Sequence, residues 1–247
     1  MICKGCGKEK QLIKAHVIPA SFFLGLRDGE KPTKIISNTP SVYPKKSYIG
    51  VYDKNILCRE CEDQFQDLDD YGCKVLIRNE AHLEKLHHNG RLVGYRINDI
   101  NFEKLKIFFI SVLWRASIST NYFFKDIDLG ALENQAKQII WKRHIPGIHD
   151  FSFVLSKFDD DGAGRTILNP HQERWFSVNY YRFYLYGYIL YIKADSRKTP
   201  EKWAEFIPED ENLIVISRGN MRNAKEYELM LQTASMRQNI KKFNYKK

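Results

Sequence analysis

The chain lacks a long hydrophobic run. Among its 247 residues the longest largely apolar stretches are Ile107–Trp114 and Tyr184–Ile192, and Gly187 interrupts the second. Both are far shorter than the roughly 20 residues that span a bilayer. The N-terminus also carries no apolar signal segment. We therefore expect a cytoplasmic protein that has no membrane-spanning helix and no membrane partner.

Cysteine is scarce as well, with five residues in the whole chain. That number is too small for a disulfide scaffold of this length, and cytosolic thiols stay reduced. Hydrophobic residues make up 43% of the chain and charged residues 28%, which is the composition of an ordinary globular protein and excludes intrinsic disorder. A chain of this length forms roughly one or two domains.

Acidic residues are the minority among the charged ones. Lys and Arg number 39 against 30 Asp and Glu, so the formal net charge is +9. A basic excess suits a polyanionic partner, because neutralising phosphates releases counterions. Nucleic acid is the partner that this charge favours. The alternative interpretation is that the charge serves only solubility.

The cysteines themselves form two identical half-sites. They are Cys3-x-x-Cys6 and Cys58-x-x-Cys61, and two such turns together supply the four thiolates of a tetrahedral Zn²⁺ site. Because four thiolates leave no open coordination position, we predict a structural zinc ion. The remaining Cys73 is interpreted as a small core residue. Separate buried cysteines or a redox pair are the alternatives.

The patterning predicts an α+β fold. We expect an N-terminal zinc-stabilised unit in residues 1–98, followed in residues 99–247 by an α+β domain with helices and a mainly antiparallel sheet. The periodicity of apolar residues predicts helices over 59–84, with an interruption near Gly72 left open, and over 102–119, 130–143 and 220–237. Aromatic and β-branched runs predict strands over 12–18, 48–57, 91–97, 151–158, 165–168, 174–181, 183–194 and 213–217.

Around the cysteines the sequence resembles the HNH, or His-Me finger, nuclease superfamily. After Cys3 and Cys6 comes Ala15-His16-Val17-Ile18-Pro19, and then Asp53-Lys54-Asn55-Ile56-Leu57 runs into the second pair of cysteines. The elements occur in the order of the superfamily and cover residues 1 to about 75. The second segment also resembles a bacterial branch with the motif G-x-Y-D-x-x-I-L-C-x-x-C.

The resemblance implies that residues 1–98 form an HNH-like zinc-bound ββα-metal domain. It also implies a metal-dependent endonuclease that hydrolyses the phosphodiester bonds of nucleic acid, DNA in the first place. His16 corresponds to the general base that activates water, and Asn55 to the residue that orients it. A histidine with a pKa near neutrality suits a general base, and a divalent cation neutralises the charge that gathers in the transition state. Defence against foreign DNA, such as that of a phage, is the biological setting that the resemblance suggests.

Two positions depart from the superfamily pattern. Ala15 stands where many members have a metal ligand, and Glu62 replaces the histidine that follows the second pair of cysteines. Glu62 and Asp69, about two helical turns apart, supply oxygen ligands that suit Mg²⁺ or Mn²⁺. The alternative interpretation is a solvated acidic helix face.

The candidate base and its orienting residue also have structural interpretations. His16 then fills a polar position in the core beside the zinc site, and Asn55 only bonds the local backbone. Three hypotheses remain open. The protein is a nuclease, a catalytically inactive zinc module that binds nucleic acid or a protein partner, or a scaffold that forms homo-oligomers through its C-terminal half.

Overall fold

The computed structural model describes residues 1–27, 29–145, 147–160, 165–207 and 211–240. Within them the strands are β1 (Ala15–His16), β2 (Thr33–Ile35), β3 (Lys45–Ser47), β4 (Tyr52–Asp53), β5 (Glu84–His88), β6 (Arg91–Ile97), β7 (Phe153–Lys157), β8 (His171–Trp175), β9 (Val178–Leu185), β10 (Tyr188–Lys193) and β11 (Leu213–Ser217). The α-helices are α1 (Ala20–Leu24), α2 (Arg59–Asp63), α3 (Gln66–Cys73), α4 (Phe102–Ser117), α5 (Glu133–Lys142), α6 (Glu201–Ala204), α7 (Lys225–Ser235) and α8 (Arg237–Ile240).

The strands form one large sheet and two small ones. The large sheet has seven strands in the order β5-β6-β11-β7-β10-β9-β8, in which β11 and β7 run parallel and every other pair is antiparallel. The small sheets pair β1 with β4 and β2 with β3, both antiparallel. The prediction of an α+β fold with a mainly antiparallel sheet is thereby confirmed.

Helix α4 lies at the centre of the core. The side chain of Asn101 caps its first turn by accepting a hydrogen bond from the Lys104 N–H at 2.8 Å. Every residue from Leu105 to Ala116 is buried, since the helix is covered on all sides. It packs against α3 and α5, and its Phe109 ring lies 4.8 Å from the ring of Phe153 on β7.

Tertiary contacts shorten several of the predicted elements. The helix expected over 59–84 is divided into α2, α3, a π-helical turn at Lys74–Arg78 and a 3-10 turn at Glu80–His82, and Glu84 begins β5 instead. The strands expected over 12–18 and 48–57 are reduced to the two-residue β1 and β4, and 165–168 forms no strand. Helices 102–119 and 130–143 and strand 213–217 are confirmed with small shifts at their ends. Helix 220–237 begins with a 3-10 turn at Met221–Asn223 before α7.

The domain boundary predicted after residue 98 stays a prediction. Strands β5 and β6, which precede it, pair within the seven-stranded sheet beside β11. One cluster of buried side chains also extends from Cys3 to Val215. In the described part of the chain, no helix has the length and apolar character to cross a membrane.

The contact between α3 and α4 generates a stability prediction. A Cβ added at Gly72 would lie 2.4 Å from the ring of Phe108, which is fully buried. Alanine gains up to about 1 kcal/mol in helix propensity, but an extra methyl group in a packed core costs about 1–3 kcal/mol. We expect Gly72→Ala to lower the free energy of unfolding by about 1 kcal/mol net, measured by urea denaturation.

The contact itself is tested by adding Phe108→Leu to Gly72→Ala. A smaller side chain at 108 makes room for the new methyl group, so the double variant is expected to lose less stability than the two single variants together. Strictly additive losses would contradict the contact.

Candidate functional site

The four cysteines of the two half-sites converge on one point. Their sulfur atoms all lie within 4.8 Å of one another. Among the described His, Cys, Asp and Glu residues, these four are the ones close enough together to hold a metal ion. Cys3, Cys58 and Cys61 are buried, whereas Cys6 is exposed. Four thiol donors at this spacing fit the tetrahedral coordination of zinc, so the cysteine cluster supports the predicted metal site.

Backbone contacts hold the two half-sites together. The Lys4 N–H donates to the Ile56 carbonyl at 2.8 Å, and the Ile13 N–H donates to the Leu57 carbonyl at 3.0 Å. Gly5 is needed for this approach, because a Cβ there would lie 2.7 Å from the sulfur of Cys61. The half-sites are thus assembled by the fold itself as well as by any metal ion.

Burial and hydrogen bonds act in opposite directions on these thiols. Burial tends to raise the pKa of Cys3, but N–H groups of Cys6 and Cys58 donate to its sulfur and lower the pKa to about 7. For Cys61 burial dominates and raises the pKa. Metal binding requires thiolates, so loading the site displaces the proton of Cys61, whose pKa is raised.

His16 lies beside this cluster, at the point where β1 meets α2. It pairs with Tyr52 across the β1–β4 ladder, and its backbone N–H donates to Glu62 Oε1 at 2.9 Å. The same carboxylate oxygen is 3.9 Å from the imidazole Nδ1. The structure therefore brings together two of the site residues predicted from the sequence, one on a strand and one on a helix.

Each of these two side chains keeps a polar atom without a hydrogen-bond partner. The atoms are Nε2 of His16 and Oε2 of Glu62, and both are buried, although the side chains as a whole are 22% and 15% exposed. Burial, helped by the positive charge of Arg115, lowers the pKa of His16, and burial raises the pKa of Glu62. The imidazole is consequently neutral near pH 7, with one nitrogen available as a proton acceptor.

Asp69 reaches the same region, but its two oxygens are already bound. Arg115 donates to Asp69 Oδ2 at 2.9 Å and to Oδ1 at 2.6 Å. The guanidinium also donates to the carbonyl of His16 at 2.8 Å and twice to Ser111, so all five of its N–H groups are used. Sequence reasoning placed no basic residue here. The available signal was an arginine that directly follows the largely apolar stretch Ile107–Trp114 of a predicted helix.

Asn55 contacts the loop after α4. Its side-chain amide donates to Thr120 Oγ1 at 3.2 Å, and its backbone N–H donates to Asp53 Oδ1 at 2.8 Å. Asp53 also accepts hydrogen bonds from Ser119, Thr120 and Asn121. Burial acts to raise the pKa of Asp53, but these donors outweigh it and lower the pKa. The role of Asn55 in orienting His16 stays a prediction, because its side chain is bound to Thr120 here.

Comparison with known proteins found no match to a family model, to a curated protein or to a solved structure. The function of the site is therefore argued from its own geometry.

The cysteine cluster generates a prediction about metal content. We expect the purified wild-type protein to contain one zinc ion per chain, measured by elemental analysis. Cys61→Ser is expected to lose the ion and to unfold at a lower temperature, because one of four ligands is missing and the half-sites separate more easily. Cys73→Ala is the matched control, since it also removes a buried thiol but lies outside the cluster. Equal zinc content in both variants would contradict the assignment.

The ion pair of Asp69 with Arg115 generates a second prediction. Arg115 is fully buried, so Asp69→Asn leaves its charge uncompensated, and we expect a loss of about 3 kcal/mol in the free energy of unfolding. Asp67→Asn is the control, because Asp67 on the same helix also binds an arginine, Arg143, but is 57% exposed. Its loss is expected to stay below about 1 kcal/mol. Equal losses of unfolding free energy in urea denaturation would show that the buried Asp69–Arg115 pair contributes no more to stability than the exposed Asp67–Arg143 pair.

Proposed function

We propose that the protein is a metal-dependent endonuclease of the HNH type that hydrolyses phosphodiester bonds in nucleic acid, with His16 as the general base. The observation that carries the proposal is the pairing of His16 with Glu62 next to the four cysteines. A neutral imidazole and a carboxylate, each with an unpartnered polar atom, are brought together by the pairing of β1 with β4 and by helix α2. Two strands and a helix are the elements that the sequence resemblance implies, which supports the proposal.

The division of roles follows from the contacts. Nε2 of His16 takes a proton from the attacking water, and Glu62 Oε1, at 3.9 Å from Nδ1, stabilises the imidazolium that results. Glu62 Oε2, which has no hydrogen-bond partner, would be the oxygen that holds Mg²⁺ or Mn²⁺. Such an ion supplies stabilisation of the charge on the phosphate and the leaving oxygen.

Asp69 is a weaker candidate ligand than Glu62. Both of its oxygens accept hydrogen bonds from Arg115, which balances its charge and repels a second cation. A role for Asp69 at the ion would require Arg115 to release it. The site proposed here thus has one protein carboxylate, His16 as base and the substrate phosphate.

A catalytically inactive zinc module is the second candidate function. The observation that favours it is the same pairing of Arg115 with Asp69, together with Ala15, which offers no ligand atom. Such a module binds nucleic acid or a protein partner with salt sensitivity but without turnover. Defence against foreign DNA and a cytoplasmic location accompany the nuclease proposal and stay predictions, as does a homo-oligomer through the C-terminal half.

The test is a cleavage assay on plasmid and single-stranded DNA with Mg²⁺ or Mn²⁺. We expect wild-type protein loaded with zinc to cleave, and His16→Ala to lose about 100-fold or more of the rate, because general-base catalysis contributes about 10²–10⁴. Glu62→Gln is expected to lose a similar factor, since the neutral amide neither holds the ion nor stabilises the imidazolium.

His88→Ala is the matched control, because His88 is an exposed histidine on β5. Its cleavage rate is expected to equal that of the wild type. Zinc content and thermal unfolding are measured for every variant, so that loss of fold is separated from loss of chemistry. Cleavage by His16→Ala at the wild-type rate would refute the role of His16. A folded, zinc-loaded wild type that binds DNA without cleaving it would favour the inactive module.

A further inference from the structure

A cavity opens where the C-terminal end of α3 meets the segment that links β6 to α4. Its volume is about 360 Å³, which lies within the range of small-molecule sites. The end of α3, the π-helical and 3-10 turns that follow it, and residues 97–100 form its walls. No residue of the cysteine cluster lines it, and neither does His16 or Glu62.

The inner surface of the cavity is apolar. Val75, Ile97 and Ile100 line it and are buried, and the ring of Tyr71 lines it as well. We call these four residues the apolar floor. The Tyr71 hydroxyl accepts a hydrogen bond from the Asn101 N–H at 2.6 Å, which holds the ring in place. An apolar group of a ligand would be removed from water on this floor.

Five polar side chains line the same cavity without partners. Lys74, His82, Asn98 and Asp99 are exposed, and Asn79 is half-buried. Within the described part of the chain, none of these side chains makes a hydrogen bond or an ion pair. Lys74 and Asp99 therefore line one cavity from two elements without pairing with each other, although their charges are opposite. A few convergent polar groups around an apolar surface are typical of a small-molecule site.

The wall that carries Asn79 is held by an ion pair with a buried lysine. The carboxylate of Glu80 lies 3.0 Å from Nζ of Lys157 and 2.9 Å from a guanidinium nitrogen of Arg165, and Lys157 is buried. In the π-helical turn before it, the Asn79 N–H donates to the carbonyl of Lys74, five residues earlier, at 3.0 Å. Such turns are rare and are frequent at functional sites.

The wall formed by residues 97–100 is held by the large sheet. Ile97 pairs with Leu213 on β11, and the Ile100 N–H donates to the carbonyl of Glu211 at 2.9 Å. Between them Asp99 has a φ of +56°, a conformation in which Asp and Asn are enriched among residues other than glycine. The walls are thus built before a ligand binds, which lowers the entropic cost of binding.

The charges of the cavity select the chemistry of the ligand. The ammonium group of Lys74 suits a carboxylate, and the carboxylate of Asp99 suits an ammonium group. The apolar floor suits an aliphatic or aromatic side chain. A nucleotide fits less well, because its phosphate would meet one lysine and would be repelled by Asp99.

We infer that the cavity binds a free α-amino acid with an apolar side chain. Lys74 binds its carboxylate, Asp99 binds its ammonium group, and the side chain lies on the apolar floor. The inference does not rest on the proposed function, because no residue that lines the cavity takes part in the candidate hydrolytic site. It assigns the protein a small-molecule site at the end of α3 in addition to the cysteine cluster at the start of α2.

The test is calorimetric titration of the zinc-loaded wild-type protein. L-phenylalanine and L-leucine are the amino-acid probes. Phenylpropionate lacks the ammonium group, phenethylamine lacks the carboxylate, and glycine lacks the side chain. We expect each of these three compounds to bind at least about tenfold more weakly than L-phenylalanine, since each leaves one part of the cavity without its contact.

Two variants assign the two charged contacts. Lys74→Gln is expected to weaken L-phenylalanine by at least about tenfold and to leave phenethylamine, which has no carboxylate, unchanged. Asp99→Asn is expected to weaken L-phenylalanine by a similar factor and to leave phenylpropionate unchanged, and asparagine keeps the positive φ. Lys198→Gln and Asp126→Asn are the matched controls, because they remove the same charges from exposed positions outside the cavity. Zinc content and thermal unfolding establish that each variant folds.

Three results would overturn the inference. In the first, neither L-phenylalanine nor L-leucine binds, or a compound without one of the three groups binds as tightly. In the second, affinity survives in Lys74→Gln and Asp99→Asn or falls equally in the controls. In the third, adenosine monophosphate binds more tightly than either amino acid. If a variant does not fold, the comparison of compounds on the wild type decides.

Cleavage of DNA is measured on the same preparations. A wild type that binds L-phenylalanine as expected but does not cleave supports the inference and refutes the nuclease. Cleavage by a wild type that binds neither amino acid refutes the inference alone.

Discussion

The guanidinium of Arg115 is the interaction on which the candidate site depends. A charge in a fully buried position is costly unless every donor is satisfied, and here all five N–H groups have acceptors on β1, α3 and α4 itself. By accepting from Arg115, the carbonyl of His16 fixes the strand that carries the imidazole. The same contact engages Asp69. One buried cation thus sets the position of the candidate base and removes a candidate metal ligand.

The short strands of the candidate site require polar contacts of this kind. Strands β1 and β4 have two residues each, and an isolated pair of this length is not stable in water. The cysteine cluster joins the N-terminus to the start of α2, and Asp53 binds β4 to the loop after α4 through donors from Ser119, Thr120 and Asn121. The hydrophobic core surrounds these polar contacts, so the fold and the site are stabilised together.

Much of this architecture was predictable from local pattern. Helix α4 follows from apolar residues at helical spacing, and the cysteine cluster follows from two identical C-x-x-C turns. Beyond an interruption near Gly72, the division of the segment 59–84 was not predictable, because its acidic and apolar residues suit one continuous helix. It is broken where β5 joins the edge of the large sheet, and that pairing involves β6 at residues 91–97. Short strands such as β1 likewise depend on partners distant in sequence.

By itself the sequence determined the α+β class, the four cysteines as a set of candidate zinc ligands, and His16 and Glu62 as candidate site residues. These depend on residue type and local spacing. Only the tertiary structure decided that His16 and Glu62 meet, that Arg115 binds Asp69, that Asn55 binds Thr120, and that α8 holds the loop between β2 and β3. The reason is physical, since a side chain's partner and its burial depend on segments that only folding brings together.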